Sequence, residues 1–372
     1  MRVLLVTPGL PPDKTGGIEN VVQQVRKELI ARGHSVTVLT ALHKMELKEP
    51  GVVQVRVPTG GEIRGYARWA ASAWLRAMAT EHDLTHFNGF PGQILSLAPS
   101  PHPKIVHMHN SLSMEPEWWN GARHGLGHLI VSESCRRASM VVAPTAVVKQ
   151  DVIGQSHTEP SKIRVIPNCV DTRFYDRSAV PPGYRDKLHL DGKFTILYFG
   201  KIKKTKGIET LCKAYYIVKR KIDAALIVGG SIAATDTFLQ YLRKAYPEVI
   251  FTGFVQDPRP YYASADVFSI NTPGFSGGET FAISLAEAMS MGLPVVCSDN
   301  PIFREVTKGN ALFAKPEDEV SLAEKILELA GNPEVASAMG RRGREIAKAH
   351  YDIPRVVDML EEAYLSLVSV RN

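Results

Sequence analysis

The chain has 372 residues, 44% of them hydrophobic and 22% charged, which is the balance of a soluble globular protein too long for one ordinary core. Its formal net charge of +6 suits an anionic substrate or an anionic membrane surface, and the lack of a basic repeat or aromatic-basic module argues against nucleic acid. No stretch is long and apolar enough to span a bilayer. The N-terminal Met1-Arg2-Val3-Leu4-Leu5-Val6 begins like a signal sequence, but Pro8, Pro11 and Pro12 end the apolar run and no cleavage site follows. It reads as a first buried strand of a cytoplasmic protein. Cys135, Cys169, Cys212 and Cys297 have neither metal-type nor C-x-x-C spacing, which predicts reduced thiols.

In chain order, strands are expected at Val3–Val6, Ser35–Leu39, Leu84–Phe87, Lys104–His107, Met140–Ala143 and Ile163–Ile166. The cycle then restarts at Phe194–Phe199, Ala225–Val228, Val249–Thr252, Val267–Ile270, Leu293–Cys297 and Ala311–Phe313. Helical patterns fall between them at Ile18–Arg32, Val131–Arg137, Ile208–Lys219, Asp236–Ala245, Phe281–Met291, Glu319–Leu329 and Pro333–His350. Alternating strands and helices predict α/β architecture with doubly wound parallel sheets, and two cycles predict two Rossmann-like halves. The boundary is expected at Ile166-Pro167-Asn168-Cys169-Val170-Asp171 and the aperiodic stretch to about Gly192, which holds Pro181, Pro182 and Gly183. Pro354–Val370 reads as an amphipathic helix.

Four segments carry candidate chemistry. In the first βα turn, Gly16 and Gly17 stand at a helix start, where a phosphate could approach free backbone N–H groups; a mobile loop is the other reading. Phe199-Gly200-Lys201-Ile202-Lys203-Lys204-Thr205-Lys206-Gly207 follows the first strand of the second half. Its lysines are either a solvated surface or a cationic seat for a diphosphate at the C-terminal edge of a parallel sheet. In Val106-His107-Met108-His109-Asn110-Ser111 the histidines follow a strand, structural unless they face a ligand.

The fourth segment is Gly277-Gly278-Glu279-Thr280-Phe281-Ala282-Ile283-Ser284-Leu285-Ala286-Glu287-Ala288-Met289-Ser290-Met291-Gly292-Leu293-Pro294. On a regular helix Glu287 would lie about 12 Å along the axis from Glu279, turned by about 80°, a spacing that suits two ends of one hydroxyl-rich ligand. Glu279 could equally serve only to favour the positive end of the helix. Glu287 sits in a small, apolar run, where an unpaired carboxylate would be costly.

This segment resembles the signature of the family-4 retaining glycosyltransferases: Glu, seven residues, Glu, then Ala-Met-x-x-Gly-x-Pro. Ala282 stands where that family usually has glycine. The resemblance covers nearly the whole chain and implies a GT-B fold, two facing Rossmann-like domains with a cleft between them and a C-terminal helix crossing back. The implied domains are residues 1–170 with the helix at about 354–372 on the acceptor side, and 171–353 on the donor side. The implied activity is transfer of a sugar from a nucleoside diphosphate sugar to an acceptor hydroxyl on a glycan or lipid, without a metal or other cofactor. Catalytic roles are implied for His109, Glu279, Lys206 and Lys201, the last replacing the family's arginine as a less directional point charge. The donor would meet Gly16, Gly17, Gly200, Phe254, Val255, Phe281, Ala282, Ile283 and Glu287, with Glu287 on the ribose hydroxyls. His86 and Asn88, in a segment that starts at Asp83, and Thr145, at a strand end, would lie on the acceptor side. Asn168-Cys169-Val170-Asp171 resembles the family's linker, with Cys169 where glycine is common.

There is no Asp-x-Asp motif and no His, Asp or Glu cluster at metal-ligand spacing. The basic-aromatic segment at 64–78, with Trp118-Trp119, is a candidate for peripheral contact with the inner face of a membrane, the alternative being a core-facing helix with solvated arginines. A sugar-nucleotide epimerase of similar two-domain fold and a non-catalytic nucleotide-sugar binding module remain as other functions. Base, sugar, acceptor and oligomeric state are not legible.

Overall fold

The computed structural model describes residues 1–14, 16–56, 72–89, 92–110, 112, 122–231, 237–273 and 278–369, with the backbone alone at 122–124 and 126. Trp118, Trp119, Ser111, Gly277 and residues 64–71 of the basic-aromatic segment lie outside the described residues. The chain forms two compact units, Met1–Cys169 with Ile353–Asn372, and Val170–Asp352.

In the first unit, β1 (Arg2–Thr7), β2 (Ser35–Leu42), β3 (Val52–Arg56), β4 (Leu84–Asn88), β5 (Lys104–His107), β6 (Met140–Ala143) and β7 (Ile163–Val165) form one sheet in the order β3-β2-β1-β4-β5-β6-β7. Every pairing is parallel. Such strands are covered on both faces, so they read as continuous apolar runs: Val3, Leu4, Leu5 and Val6 are all buried. α1 (Gly17–Ala31) buries Val21, Val22, Val25 and Leu29, one stripe of a helix. It ends where Gly33 takes φ +83 and the His34 N–H donates to the Leu29 carbonyl, closing the last turn with a left-handed residue that glycine adopts without strain. The C-terminal helix Ile353–Val368 belongs to this unit and buries Val356, Val357, Leu360, Ala363 and Tyr364. Arg32 holds it through Asp358 at 2.7 Å and Glu361 at 2.9 Å.

In the second unit, β8 (Phe194–Phe199), β9 (Ala224–Gly229), β10 (Ile250–Gly253), β11 (Val267–Ile270), β12 (Val295–Ser298) and β13 (Leu312–Ala314) pair in parallel in the order β10-β9-β8-β11-β12-β13. This is the doubly wound Rossmann order, and the first sheet shares it with one strand more. In both sheets the order reverses at one place, between β1 and β4 and between β8 and β11. The chain diverges there to opposite faces and leaves a crevice at the C-terminal strand ends, the usual ligand position in open α/β sheets.

The structure corrects several expected elements. β3 and the helix Ala146–Ser156 were not expected from the sequence. The helix expected at Phe281–Met291 is α3, Ile283–Ser290, because Ala282 takes φ +60 and ψ +76, outside the helical region. Glu279 is therefore not on that helix, and the regular 12 Å spacing to Glu287 does not apply. The strand expected at Leu293–Cys297 is shifted to Val295–Ser298. Pro294, which has no N–H to donate, lies just outside it.

Candidate functional site

The switch point of the second unit gathers the lysine loop and the double-glutamate segment. The loop leaves β8 at Gly200, whose N–H donates to Gly229 at 3.1 Å, and Ile202 N–H donates to Ser231 at 2.9 Å. A Cβ on Gly230, at φ +132, would fall 1.7 Å from the Gly200 carbonyl oxygen, so the two backbones can touch only because residue 230 is glycine. The loop then makes a tight turn over Lys204–Lys206 and enters α2 (Ile208–Lys219) through Gly207 at φ +66, where a Cβ would lie 2.0 Å from the Asn271 carbonyl oxygen. That close approach seats Lys206 against the end of β11. Lys206 is buried, Lys201 and Lys204 are exposed, and Lys203 is half-buried.

Lys206 Nζ lies 2.6 Å from Glu279 Oε1, and the Thr272 hydroxyl donates to the same oxygen at 3.2 Å. The stretch from Glu279 enters α3 through Ala282, the only described residue near the site that holds a left-handed backbone without being glycine. Phe281 is buried with its ring edge against Tyr351 at 5.1 Å, so a ligand can meet its backbone but not its side chain. The Leu285 N–H bonds back to Ala282 at 3.0 Å, at the N-terminal end of α3, where a helix carries partial positive charge.

Glu287 is held elsewhere. Its Oε2 accepts the Tyr262 hydroxyl at 2.9 Å. Burial pushes its carboxyl above the ordinary range, and bonds from the Tyr175 and Tyr262 hydroxyls offset part of that rise. The carboxylate that looked costly in the sequence is thus paired with two tyrosines that sequence spacing did not single out. At the end of β10, Gly253 takes φ +67, Phe254 is 64% exposed and Val255 is half-buried.

The first unit carries the other candidates. Gly16 and Gly17 open α1, with Gly16 extended at φ −169, and a Cβ on Gly16 would meet a Glu19 carboxylate oxygen at 2.5 Å. Glu19 is buried and paired with Lys14 at 3.0 Å. Sequence reading missed Asp13, whose carboxylate accepts the backbone N–H groups of His43 at 2.9 Å, Lys44 at 2.5 Å and Met45 at 2.8 Å and the Gln54 amide at 3.2 Å. Its burial alone would raise the carboxyl, but these backbone donors bring it below the usual value. The turn before Gly16 is thereby tied to the loop after β2, and no local signal in Pro-Pro-Asp announces it.

His86 and Asn88 on β4 and His107 and His109 at the end of β5 lie side by side. Rings of His107 and His109 stack at 4.0 Å, and His86 and His107 are parallel at 5.4 Å. His109 Nε2 is 3.2 Å from Asn88 Oδ1, and the Asn88 amide nitrogen donates to the carbonyls of Val6 and His86. Burial pushes His86 and His109 down to about 3 and His107 well below its usual value, so all three are neutral at physiological pH. A neutral His109 facing an amide oxygen carries its proton on Nε2. Thr145 caps the helix Ala146–Ser156, accepting the Val148 N–H at 3.2 Å. Asp83 is bound to Arg2 at 2.9 Å.

Among the described residues there is no group of three or more His, Cys, Asp or Glu placed to hold a metal ion, and no helix is long and apolar enough to cross a membrane. In the described half of the basic-aromatic segment, Leu75 and Met78 are exposed while the Trp74 indole N–H donates to Pro99.

Residues 15–174 match the model of Glycosyltransferase Family 4, and residues 193–332 match that of Glycosyl transferases group 1. The chain is 26% identical over 378 residues to the GDP-mannose-dependent alpha-(1-6)-phosphatidylinositol monomannoside mannosyltransferase of Mycobacterium tuberculosis, covering 94% of each. It is 25% identical over 358 residues to the uncharacterized glycosyltransferase MJ1607 of Methanocaldococcus jannaschii, covering 87% of each. Among solved structures it superposes on Anabaena Alr3699/HepE in complex with UDP and glucose with a TM-score of 0.81 at 20% identity, over 99% of this chain and 100% of that one. With both units matched in order and the doubly wound sheets in place, the chain belongs to the family-4, group 1 glycosyltransferases of GT-B fold.

Proposed function

We propose that this glycosyltransferase is retaining and metal independent, and that it moves a sugar from a nucleoside diphosphate sugar to an acceptor hydroxyl. The unit Val170–Asp352 takes the donor, and the unit built on Met1–Cys169 takes the acceptor. The observation that carries the reading is the Lys206–Glu279 pair at the switch point of the second sheet, a cation and a hydroxyl acceptor beside a helix start. Lys206 and the exposed Lys201 stabilise the departing diphosphate, supplying the charge a divalent ion would otherwise bring. Glu279 and the N–H groups of Phe281, Ala282 and Ile283 hold sugar hydroxyls. Glu287 takes the ribose, sharing its carboxylate with the tyrosines, and the backbone at Phe254 and Val255 meets the base. In the first unit, Gly16 and Gly17 open α1 with backbone N–H groups suited to a phosphate, and His109 is the candidate side chain for the reacting sugar. The bond between the anomeric carbon and the phosphate oxygen breaks, the acceptor oxygen bonds that carbon on the same face, and the acceptor proton leaves with the diphosphate.

Two observations favour a lipid-linked acceptor over a free glycan: the lipid named for the mycobacterial relative and the exposed Leu75 and Met78. Four buried cysteines, none in a disulfide, suit a cytoplasmic location. The test is nucleoside diphosphate release from UDP-, GDP- and ADP-sugars, with and without chelator. Release from one donor, unaffected by chelator and with the anomeric configuration kept in the product, is expected. Dependence on a divalent ion overturns metal independence, an inverted product overturns retention, and no binding or release with any donor overturns the donor assignment.

A further inference from the structure

Thr272 is fully buried at the switch point of the second sheet, and its hydroxyl donates to Oε1 of Glu279. It lies two residues past β11, in Asn271-Thr272-Pro273. A residue before proline is kept out of the helical region, and a β-branched side chain has few rotamers, so this position presents its hydroxyl in a narrow range of directions. The backbone is fixed from the end of β12: the Thr272 carbonyl accepts the Ser298 hydroxyl at 2.8 Å and the Asn300 amide at 3.5 Å. The preceding Asn271 carbonyl is the one that meets Gly207 and seats Lys206. One short stretch of chain thus places both groups that reach Oε1.

The two bonds leave the carboxylate asymmetric. Lys206 Nζ at 2.6 Å and the Thr272 hydroxyl at 3.2 Å both meet Oε1. Among the described residues nothing donates to Oε2, and it is not one of the buried polar atoms without a partner. Oε2 therefore opens on solvent, on a side chain that keeps 14% of its surface exposed. A carboxylate oxygen so placed is an acceptor for a ligand hydroxyl. Lys206 has three N–H donors and can keep one on Oε1 while another meets a phosphate. Thr272 is neutral, so it holds Glu279 in place without drawing on the charge that a diphosphate needs.

We propose that Thr272 is a positioning residue for Glu279: it shares Oε1 with Lys206 and so turns Oε2 toward the sugar hydroxyls of the donor. The proposal rests on the reading that Glu279 holds those hydroxyls. The Thr272 hydroxyl then acts on the sugar part of the donor and not on the nucleotide part.

The test compares KM for the UDP-, GDP- or ADP-sugar that gives release with Ki for the matching nucleoside diphosphate, in the native protein, Thr272→Val, Thr272→Ser and Glu279→Gln. Thr272→Val keeps the shape and removes the hydroxyl, and it is expected to raise KM about fivefold with Ki within about twofold. Thr272→Ser, which restores a hydroxyl, is expected to return KM to within about twofold of the native value. A merely structural residue would move KM and Ki together. Equal changes in both, or none in either, overturn the positioning role. If Glu279→Gln also leaves the ratio of KM to Ki unchanged, the reading of Glu279 falls with it. Urea unfolding supplies a measurement that needs no donor. Thr272→Val should lose clearly less stability in a Glu279→Ala background than in the native one, and equal losses would show that the hydroxyl does not act on Glu279 and overturn the proposal.

Discussion

Lys206 and Glu279 are 73 residues apart in the chain and meet with 2.6 Å between Nζ and Oε1. Strand order brings them together: one follows β8, the other follows β11, and these strands are neighbours in the sheet. Their side chains are 11% and 14% exposed, so each charge depends on the other for most of its compensation. Lys206→Ala and Glu279→Ala are each expected to cost about 2 kcal/mol, less than the about 3–5 kcal/mol of a fully enclosed pair. The double variant should cost clearly less than the sum. Urea unfolding of the four proteins checks this, and additive losses would show that the two charges do not depend on each other.

Ala282 holds φ +60 at the entrance to α3. A left-handed backbone costs an alanine about 1–2 kcal/mol, and glycine avoids that cost while losing more freedom on folding. Ala282→Gly should therefore gain up to about 1 kcal/mol, and Ala282→Val should lose more than that. Thermal melts of both variants measure the difference. A destabilised glycine variant would contradict the strain.

Asp13 is a buried carboxylate whose backbone donors lower its pKa. A group lowered in the folded state adds stability above its unfolded value, about 3.9, and loses it as pH falls through the lower folded value. The melting-temperature gap between the native protein and Asp13→Ala should thus be full at pH 7 and narrow only below about pH 4. A gap that stays constant down to acid pH would mean that Asp13 acts by packing, not by charge.

Much of the fold was legible because parallel strands covered on both faces leave plain apolar runs. Lys104–His107, Met140–Ala143, Phe194–Phe199, Val267–Ile270, Ile208–Lys219 and Pro333–His350 stand where their patterns put them. β3 escaped because it is a five-residue edge strand, Val-Val-Gln-Val-Arg, only partly buried. The helix Ala146–Ser156 escaped because Val147, Val148, Val152 and Ile153 are poor helix formers without an amphipathic stripe, and its start is set by the Thr145 cap. At the site, Lys206 and Glu279 could be named from local motifs, but their contact could not, since it depends on strand order. Asp13 and Tyr364 were invisible for the same reason: their partners at His43–Met45 and His86 come from distant parts of the chain.

Donor binding to the Lys206–Glu279 site is the central claim, and calorimetric titration tests it most directly. The nucleoside diphosphate selected by the release panel would be titrated into the native protein and into Lys206→Met, each confirmed folded by its melt. Loss of one charge contact to a diphosphate in a nearly buried site should weaken binding at least about tenfold, while Lys325→Met, which removes a charge paired with Glu328 at 2.8 Å on the helix Glu319–Ala330, should leave it unchanged. Equal affinity in the native protein and Lys206→Met would contradict the account.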